Sequence, residues 1–186
     1  MNNFSNLLFD FDGTLFDTSQ GIFHSMQKVA DFYKLDADEK VFARMIGPSL
    51  QESFTTIFNL PESEVPNAIK IYREYYAKKG MFEVKPYDGI FDFIKKARQK
   101  GKKIFVATSK PELFTKQILE SLNLLDNFDF VGGADMAEKD RITKVDVINY
   151  VLSENHIEDK DSVLMIGDRS YDINGAHEAG LKACGI

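Results

Sequence analysis

Two aspartates stand two residues apart behind a short apolar run, Leu7-Leu8-Phe9 followed by Asp10-Phe11-Asp12-Gly13-Thr14. Side chains at this spacing share one face of a strand, so both carboxylates point the same way unless the chain turns between them. Gly13 and Thr14 mark where such a turn starts. Neighbouring carboxylates repel, and a divalent cation is one way to keep at least one of them ionised at neutral pH. An acidic turn without chemical consequence is the competing reading of Asp-x-Asp by itself. What decides between the two is the rest of the chain.

The run before Asp10 suits a buried strand, and four similar runs follow: Lys103 to Ala107, Phe128 to Val131, Val163 to Ile166 and Leu181 to Ile186. Between them lie helical patterns over Gly89 to Gln99, Pro111 to Ser121, Thr143 to Ser153 and Tyr171 to Ala179. Pro111 suits a first helical turn, and Gly101 and Gly180 suit helix ends. Apolar strands alternating with helices predict a parallel sheet covered on both faces, with ligands at the carboxyl ends of the strands. Residues 18–84 break the rhythm. Ile22, Phe23, Met26, Ala30 and Tyr33 recur at helical spacing, as do Ile69, Tyr72, Tyr76 and Lys79 before Gly80, so this stretch reads as an inserted helical domain with its own core. The predicted division is a core of residues 1–17 and 85–186 and an insert of residues 18–84.

The string Asp10-Phe11-Asp12-Gly13-Thr14-Leu15 resembles the signature of phosphatases of the haloacid dehalogenase superfamily, and three further positions fit in order. These are Thr108 after its strand, Lys144 near a helix start, and Gly167-Asp168 followed by Asp172. The resemblance spans nearly the whole chain. It implies an α/β fold with a Rossmann-like three-layer parallel sheet core, and it makes the insert a helical cap that closes over the site. It implies Asp10 as the nucleophile that takes up the phosphoryl group and Asp12 as the acid/base. Mg2+ is implied on Asp10, Asp168 and the main-chain carbonyl of Asp12, with Asp172 supporting the metal site. Thr108 and the backbone N–H of Ser109, at the start of the following helix, are implied phosphate donors, and Lys144 the compensating cation. Read alone, Thr108 is a helix cap and Lys144 one solvated lysine among many; Lys139 and Arg141 are rivals for the cationic role, and spacing to the next helix favours Lys144.

Two candidate substrate contacts remain. Arg44 opens Arg44-Met45-Ile46-Gly47-Pro48-Ser49-Leu50, which resembles the loop that phosphoglycolate phosphatase-like members place over the site; a plain turn is the alternative. Lys110, just after the phosphate-binding pair, either touches substrate or faces solvent. His24, His156 and His177 lack metal-like spacing and are expected on helix surfaces.

At 186 residues and 44% hydrophobic composition the chain can bury a real core. A net charge of −6 disfavours nonspecific nucleic-acid binding, which depends on neutralising phosphates. One cysteine, Cys184, allows no internal disulfide and reads as a small strand residue. With no secretory leader and no membrane-length apolar run, the expected setting is the cytoplasm, and the expected partner is a small phosphorylated metabolite, with no nucleic acid or membrane, for a monomer or homodimer.

The expected activity is a magnesium-dependent phosphohydrolase acting on a small phosphate monoester. Nucleotidase, pyrophosphatase and sugar-phosphate phosphatase or mutase activities fit the same pattern. The presence of Asp12 disfavours a dehalogenase, and no cap lysine marks a phosphonatase. A catalytically idle binding or regulatory module is the reading from another class, and the intact acidic set argues against it. The chain stops at Cys184-Gly185-Ile186, where relatives continue; the expectation is either a truncation or an edge protected by dimerisation.

Overall fold

The computed structural model describes residues 4–46, 49–136 and 139–186. Five strands form the main sheet: β1 (Asn6–Phe9), β4 (Lys103–Pro111), β5 (Phe130–Ala134), β6 (Val163–Gly167) and β7 (Lys182–Gly185), in the order β5-β4-β1-β6-β7. Every neighbouring pair is parallel. The short strands β2 (Phe16–Asp17) and β3 (Lys85–Pro86) form a separate two-stranded sheet. The chain divides into two compact units, residues 1–17 with 86–186, and residues 18–85.

In the first unit the strands bury alternate residues on opposite faces, as their period of two requires. On one face Leu8, Phe105, Ala107 and Met165 pack with Val147, Ile148, Val151 and Leu152 of α7 (Lys144–Glu154) and Ala176 of α8 (Ser170–Glu178). The other face is covered by α5 (Ile90–Gln99) and α6 (Glu112–Ser121), with Phe93 of α5 edge-on to Phe9 and Ile94, Ile118 and Leu119 fully buried. The core is thus a three-layer α/β arrangement of Rossmann-like type, the fold class expected from the alternation of apolar strands and helices.

Strand register fixes which residues meet at the carboxyl edge. Phe9 of β1 lies opposite Val106 of β4 and Ile166 of β6, and the Asp10 N–H donates to the Ile166 carbonyl at 2.9 Å. Because all three strands run the same way, the residues beyond this row emerge together. They are Asp10, Ala107-Thr108 and Gly167-Asp168. Strand β4 runs on to Pro111, so the helix expected from Pro111 starts at Glu112, and Ser109 lies in the strand instead of at a helix N-terminus. Between the pairs Thr108–Gly133 and Pro111–Ala134 the register with β5 shifts, and Ser109 and Lys110 form the bulge. A bulge re-aims side chains. Gly133 permits it, since a Cβ there would lie 2.5 Å from the Lys110 carbonyl oxygen and 2.7 Å from the Glu112 nitrogen.

The second unit is helical: α1 (Ser19–Tyr33), α2 (Glu39–Ala43), α3 (Leu50–Glu52) continued by a π turn over Ser53–Ile57, and α4 (Val65–Lys78) with a proline in its first turn. Met26, Val29 and Ala30 of α1 and Ala68, Tyr72 and Tyr76 of α4 are buried, together with Phe42, Phe54 and Phe58. Lys79, expected on this stripe, is exposed, because α4 ends at Lys78. Gly21 and Gly80 press together so closely that a Cβ on Gly21 would overlap the Gly80 carbonyl. Arg44 is exposed at the end of α2, and Gly47 and Pro48 of the candidate loop lie outside the described residues. His24 and His177 sit on helix surfaces, whereas His156 follows α7 in a left-handed conformation (φ 53°). Cys184 is half-buried in β7.

Backbone atoms block a side chain at Gly133, so Gly133→Ala is expected to cost about 1–3 kcal/mol, read as a lower urea midpoint at unchanged slope. An unchanged midpoint would mean that the bulge yields without cost.

Candidate active site

Asp10 leaves the end of β1 and is nearly fully buried. The chain then turns sharply: Leu15 and Phe16 both donate to the Phe11 carbonyl at 3.0 Å, and Gly13, at φ 84°, donates to the Phe16 carbonyl. This turn separates the two carboxylates. Asp10 meets the Lys144 ammonium at 2.6 Å, whereas Asp12 meets the Lys110 ammonium at 2.7 and 2.9 Å through its two oxygens.

Lys144 is the first residue of α7, and a capping box holds it there: the Asp146 N–H donates to Thr143 Oγ1, and the Thr143 N–H donates to Asp146 Oδ2. Its side chain is buried, not solvated. An ammonium has three N–H groups, and Lys144 Nζ has three partners: Asp10 Oδ1 at 2.6 Å, Asp172 Oδ1 at 2.7 Å and the Ala107 carbonyl at 3.1 Å. The rival cations are elsewhere. Lys139 is exposed, and Arg141 lies over the Tyr150 ring at 4.1 Å with its guanidinium 3.6 Å from Glu112. The loop carrying both is tied to Asp135, whose carboxylate accepts the N–H groups of Lys139, Arg141 and Asp140 and is thereby held well below the usual carboxylate range.

Asp168 follows β6 and is partly exposed; it accepts from Thr14 Oγ1 at 3.4 Å and pairs with Arg169 at 3.1 Å. Asp172, in the first turn of α8, is 1% exposed and has both oxygens engaged, one by Lys144 and one by the Arg169 N–H at 3.0 Å. Glycines leave room for these groups. A Cβ on Gly13 would strike the Asp168 carboxyl at 2.4 Å, one on Gly167 the Asp172 carboxyl at 2.3 Å, and one on Gly175 the Lys144 side chain at 2.8 Å. Thr108 is buried, its hydroxyl accepting the Lys110 N–H at 3.2 Å, and Ser109 is exposed on the bulge.

Carboxylate oxygens of Asp10, Asp168 and Asp172 lie within 4.8 Å of one another. Such an all-oxygen donor set suits a hard cation such as Mg2+. The side chain of Asp12 is outside this group. Burial pushes the Asp10 carboxyl up to about 6, aided by the charges of Asp172 and Asp12 and opposed by Lys144. Burial also works against the Lys144 ammonium, but Asp10 and Asp172 outweigh it and hold its pKa above the ordinary value.

The site thus combines Asp10, Asp12, Thr108, Lys110, Lys144, Asp168 and Asp172 on one unit; Arg44 belongs to the other. Reading the sequence did not single out Thr14 or Arg169, the two partners of Asp168. Thr14 stood inside the motif quoted for Asp10, and nothing in the sequence pairs Arg169 with its neighbour in preference to solvent.

The family model described as haloacid dehalogenase-like hydrolase matches residues 7–186. A 5'-nucleotidase from Pseudomonas aeruginosa is 32% identical over 98% of this chain and 82% of its own length. A phosphoglycolate phosphatase from Aquifex aeolicus is 27% identical over 95% of this chain and 81% of its own. The solved structure of protein tyrosine kinase A from Mycobacterium tuberculosis superposes with a TM-score of 0.88 at 28% identity, covering all of this chain and 84% of that one. With the aspartates, Thr108 and Lys144 of four motifs gathered at one sheet edge and a family match over almost its whole length, this chain belongs to the haloacid dehalogenase-like hydrolases and is a phosphatase.

Proposed function

We propose that the chain hydrolyses a small phosphate monoester with Asp10 as nucleophile and Mg2+ as cofactor. The observation that carries this reading is the separation of two aspartates only two residues apart into different surroundings: buried Asp10 on Lys144, and half-buried Asp12 on Lys110. Such a division suits two roles in one reaction.

Asp10 stands directly at the end of β1, its position fixed by the main-chain bond from its N–H to the Ile166 carbonyl of β6. A carboxylate Oδ attacks phosphorus, the P–O bond to the leaving group breaks, and an aspartyl-phosphate forms. Asp12, as the acid, gives its proton to the departing oxygen; as the base it then takes one from the water that cleaves the acyl-phosphate, which returns Asp10 and releases inorganic phosphate. Thr108 and the backbone of Ser109 on the bulge are suited to donate to phosphoryl oxygens. Lys144 fixes the orientation of Asp10 and offsets its charge, although its three N–H groups are already committed to protein oxygens. Bound Mg2+ would lie among Asp10, Asp168 and the Asp12 carbonyl, and would neutralise charge between nucleophile and phosphate. Asp172 acts through Lys144 and supports the site. Arg44 is a candidate substrate contact from the insert, which we assign the role of a cap. The names of the relatives span a nucleotidase and a phosphoglycolate phosphatase, so phosphoglycolate and nucleoside monophosphates head the candidate substrates.

Two expectations test this reading. Across phosphoglycolate, nucleoside monophosphates, pyrophosphate and sugar phosphates, phosphate release by the wild type should vanish with EDTA and fall at least about 10³-fold, or about 4 kcal/mol in barrier, in Asp10→Asn. A folded wild type that releases phosphate from none of them would favour the idle binding module.

The second concerns pH. The raised Asp10 pKa means that this carboxyl is protonated below about 6 and ionised above it. Only the ionised form is a metal ligand, so Mg2+ affinity should be lost as pH falls through that value, by up to about tenfold per pH unit. Calorimetric Mg2+ titrations above and below the transition check it, and a pH-independent affinity would remove Asp10 from the ligand set.

A further inference from the structure

Lys110 is, like Lys144, a buried lysine of the site, but it pairs with a different carboxylate. Its side chain is 6% exposed although it sits on a bulge, and its ammonium reaches both oxygens of Asp12, at 2.7 and 2.9 Å. It passes over the Phe11 ring, 5.7 Å from the centroid. Two features outside the lysine itself set this geometry. The register shift between β4 and β5 turns Ser109 and Lys110 out of the ladder, and the Lys110 N–H is tied back to the Thr108 hydroxyl at 3.2 Å. Gly133 then lets the Lys110 carbonyl approach β5 more closely than any side chain would allow.

The consequence lies in where Asp12 is not. Three carboxylates, Asp10, Asp168 and Asp172, have oxygens within 4.8 Å of one another, and Asp12 is absent from that group although it is two residues from Asp10. The cations divide in the same way: Lys144 serves Asp10 and Asp172, Arg169 serves Asp168, and Lys110 serves Asp12. One ammonium within hydrogen-bond distance of both oxygens holds the carboxylate group facing it. We propose that Lys110 is a positioning residue that sorts the carboxylates, holding the Asp12 side chain out of the metal-binding group and aimed for proton transfer. The inference rests on the reading of Asp12 as the acid/base and adds to it what keeps that carboxyl in place. Of the two expectations for Lys110, the solvent-facing one does not hold, since the residue is buried.

The reaction discriminates these roles through its leaving group. An alkyl phosphate needs a proton on its departing oxygen, whereas para-nitrophenyl phosphate departs as a stable anion and needs it far less. Steady-state kinetics of wild type, Lys110→Met, Lys110→Arg and Asp12→Asn on both substrates form the experiment. Lys110→Met should lower kcat on the alkyl phosphate at least about tenfold more than on para-nitrophenyl phosphate, with KM nearly constant. Lys110→Arg should restore most of the difference, because a guanidinium can also grip both oxygens.

A second readout needs no turnover. In EDTA, the melting temperature of Lys110→Met/Asp12→Asn should fall by less than the sum of the two single changes, since either substitution alone already breaks the pair. A raised KM at constant kcat, an equal loss on both substrates, or additive melting shifts would overturn the assignment. The control separates the two ideas. If Asp12→Asn loses turnover selectively on the alkyl phosphate and Lys110→Met does not, the positioning role fails and the acid/base reading stands; if Asp12→Asn behaves as wild type, the acid/base reading fails and takes the positioning role with it.

Discussion

Three carboxylates crowded at one edge of a sheet are the constraint on which the rest of this structure depends. At an effective dielectric near 20, two unit charges about 4 Å apart repel by about 4 kcal/mol, so Asp10, Asp168 and Asp172 cannot share a space of 4.8 Å without cations. Lys144 is the buried answer. Its position is over-determined: a capping box fixes the helix start, Gly175 clears its stem, and all three of its N–H groups are bonded. The same crowding explains the glycines that face the carboxyl groups. At Gly13 and Gly167 the space a Cβ would take is already occupied by a carboxylate.

A parallel sheet turns this local problem into a general solution. Residues far apart in sequence meet because β1, β4 and β6 are adjacent and run the same way, so the residues that follow the shared row Phe9, Val106 and Ile166 emerge at one edge. The central strand of the three is β1, which places Asp10 between the Thr108 and Asp168 sides. Burial there raises the proton affinity of Asp10, and a group that must be ionised to react is then sensitive to whatever cation is nearest. Lys144 lowers the proton affinity of that carboxyl, and a cation bound beside it would act in the same sense.

Much of this was legible in the sequence, for identifiable reasons. Apolar runs ending in Asp10, Thr108 and Gly167-Asp168 announce strand ends, and the alternation of strands and helices fixes their common direction. Lys144 was separable from Lys139 and Arg141 by distance to the next helix, and the structure supplies the reason: α7 begins on that lysine, while Arg141 is committed to Tyr150 and Glu112. Less was legible where the outcome depends on strand register. Pro111 reads as a helix start, yet it ends β4, because the bulge lengthens that strand by pairing with Gly133 and Ala134. The proximity of Lys110 to Asp12 follows from that bulge and from residues almost a hundred positions apart, so no local spacing could reveal it. Arg169 beside Asp168 and the fully engaged Asp172 are likewise products of a capping turn that the sequence only hinted at with its Asp168-to-Asp172 spacing.

Substrate choice lies on a different level from this chemistry. The groups gathered at the sheet edge are carboxylates, cationic side chains and a hydroxyl, whose chemistry is that of cations, anions and protons. The names of relatives range from nucleotidase to phosphoglycolate phosphatase to tyrosine kinase, and under the proposed chemistry a carboxylate that took up only the phosphoryl group would leave the rest of the donor unread. What distinguishes one donor from another must then contact atoms beyond the bridging oxygen. Within the sheet unit the exposed residues around the cluster are Ser109 on the bulge, Tyr171 in the first turn of α8 and Ile142 just before α7. The acidic cluster can therefore stay fixed by its electrostatics while the surfaces around it set the substrate.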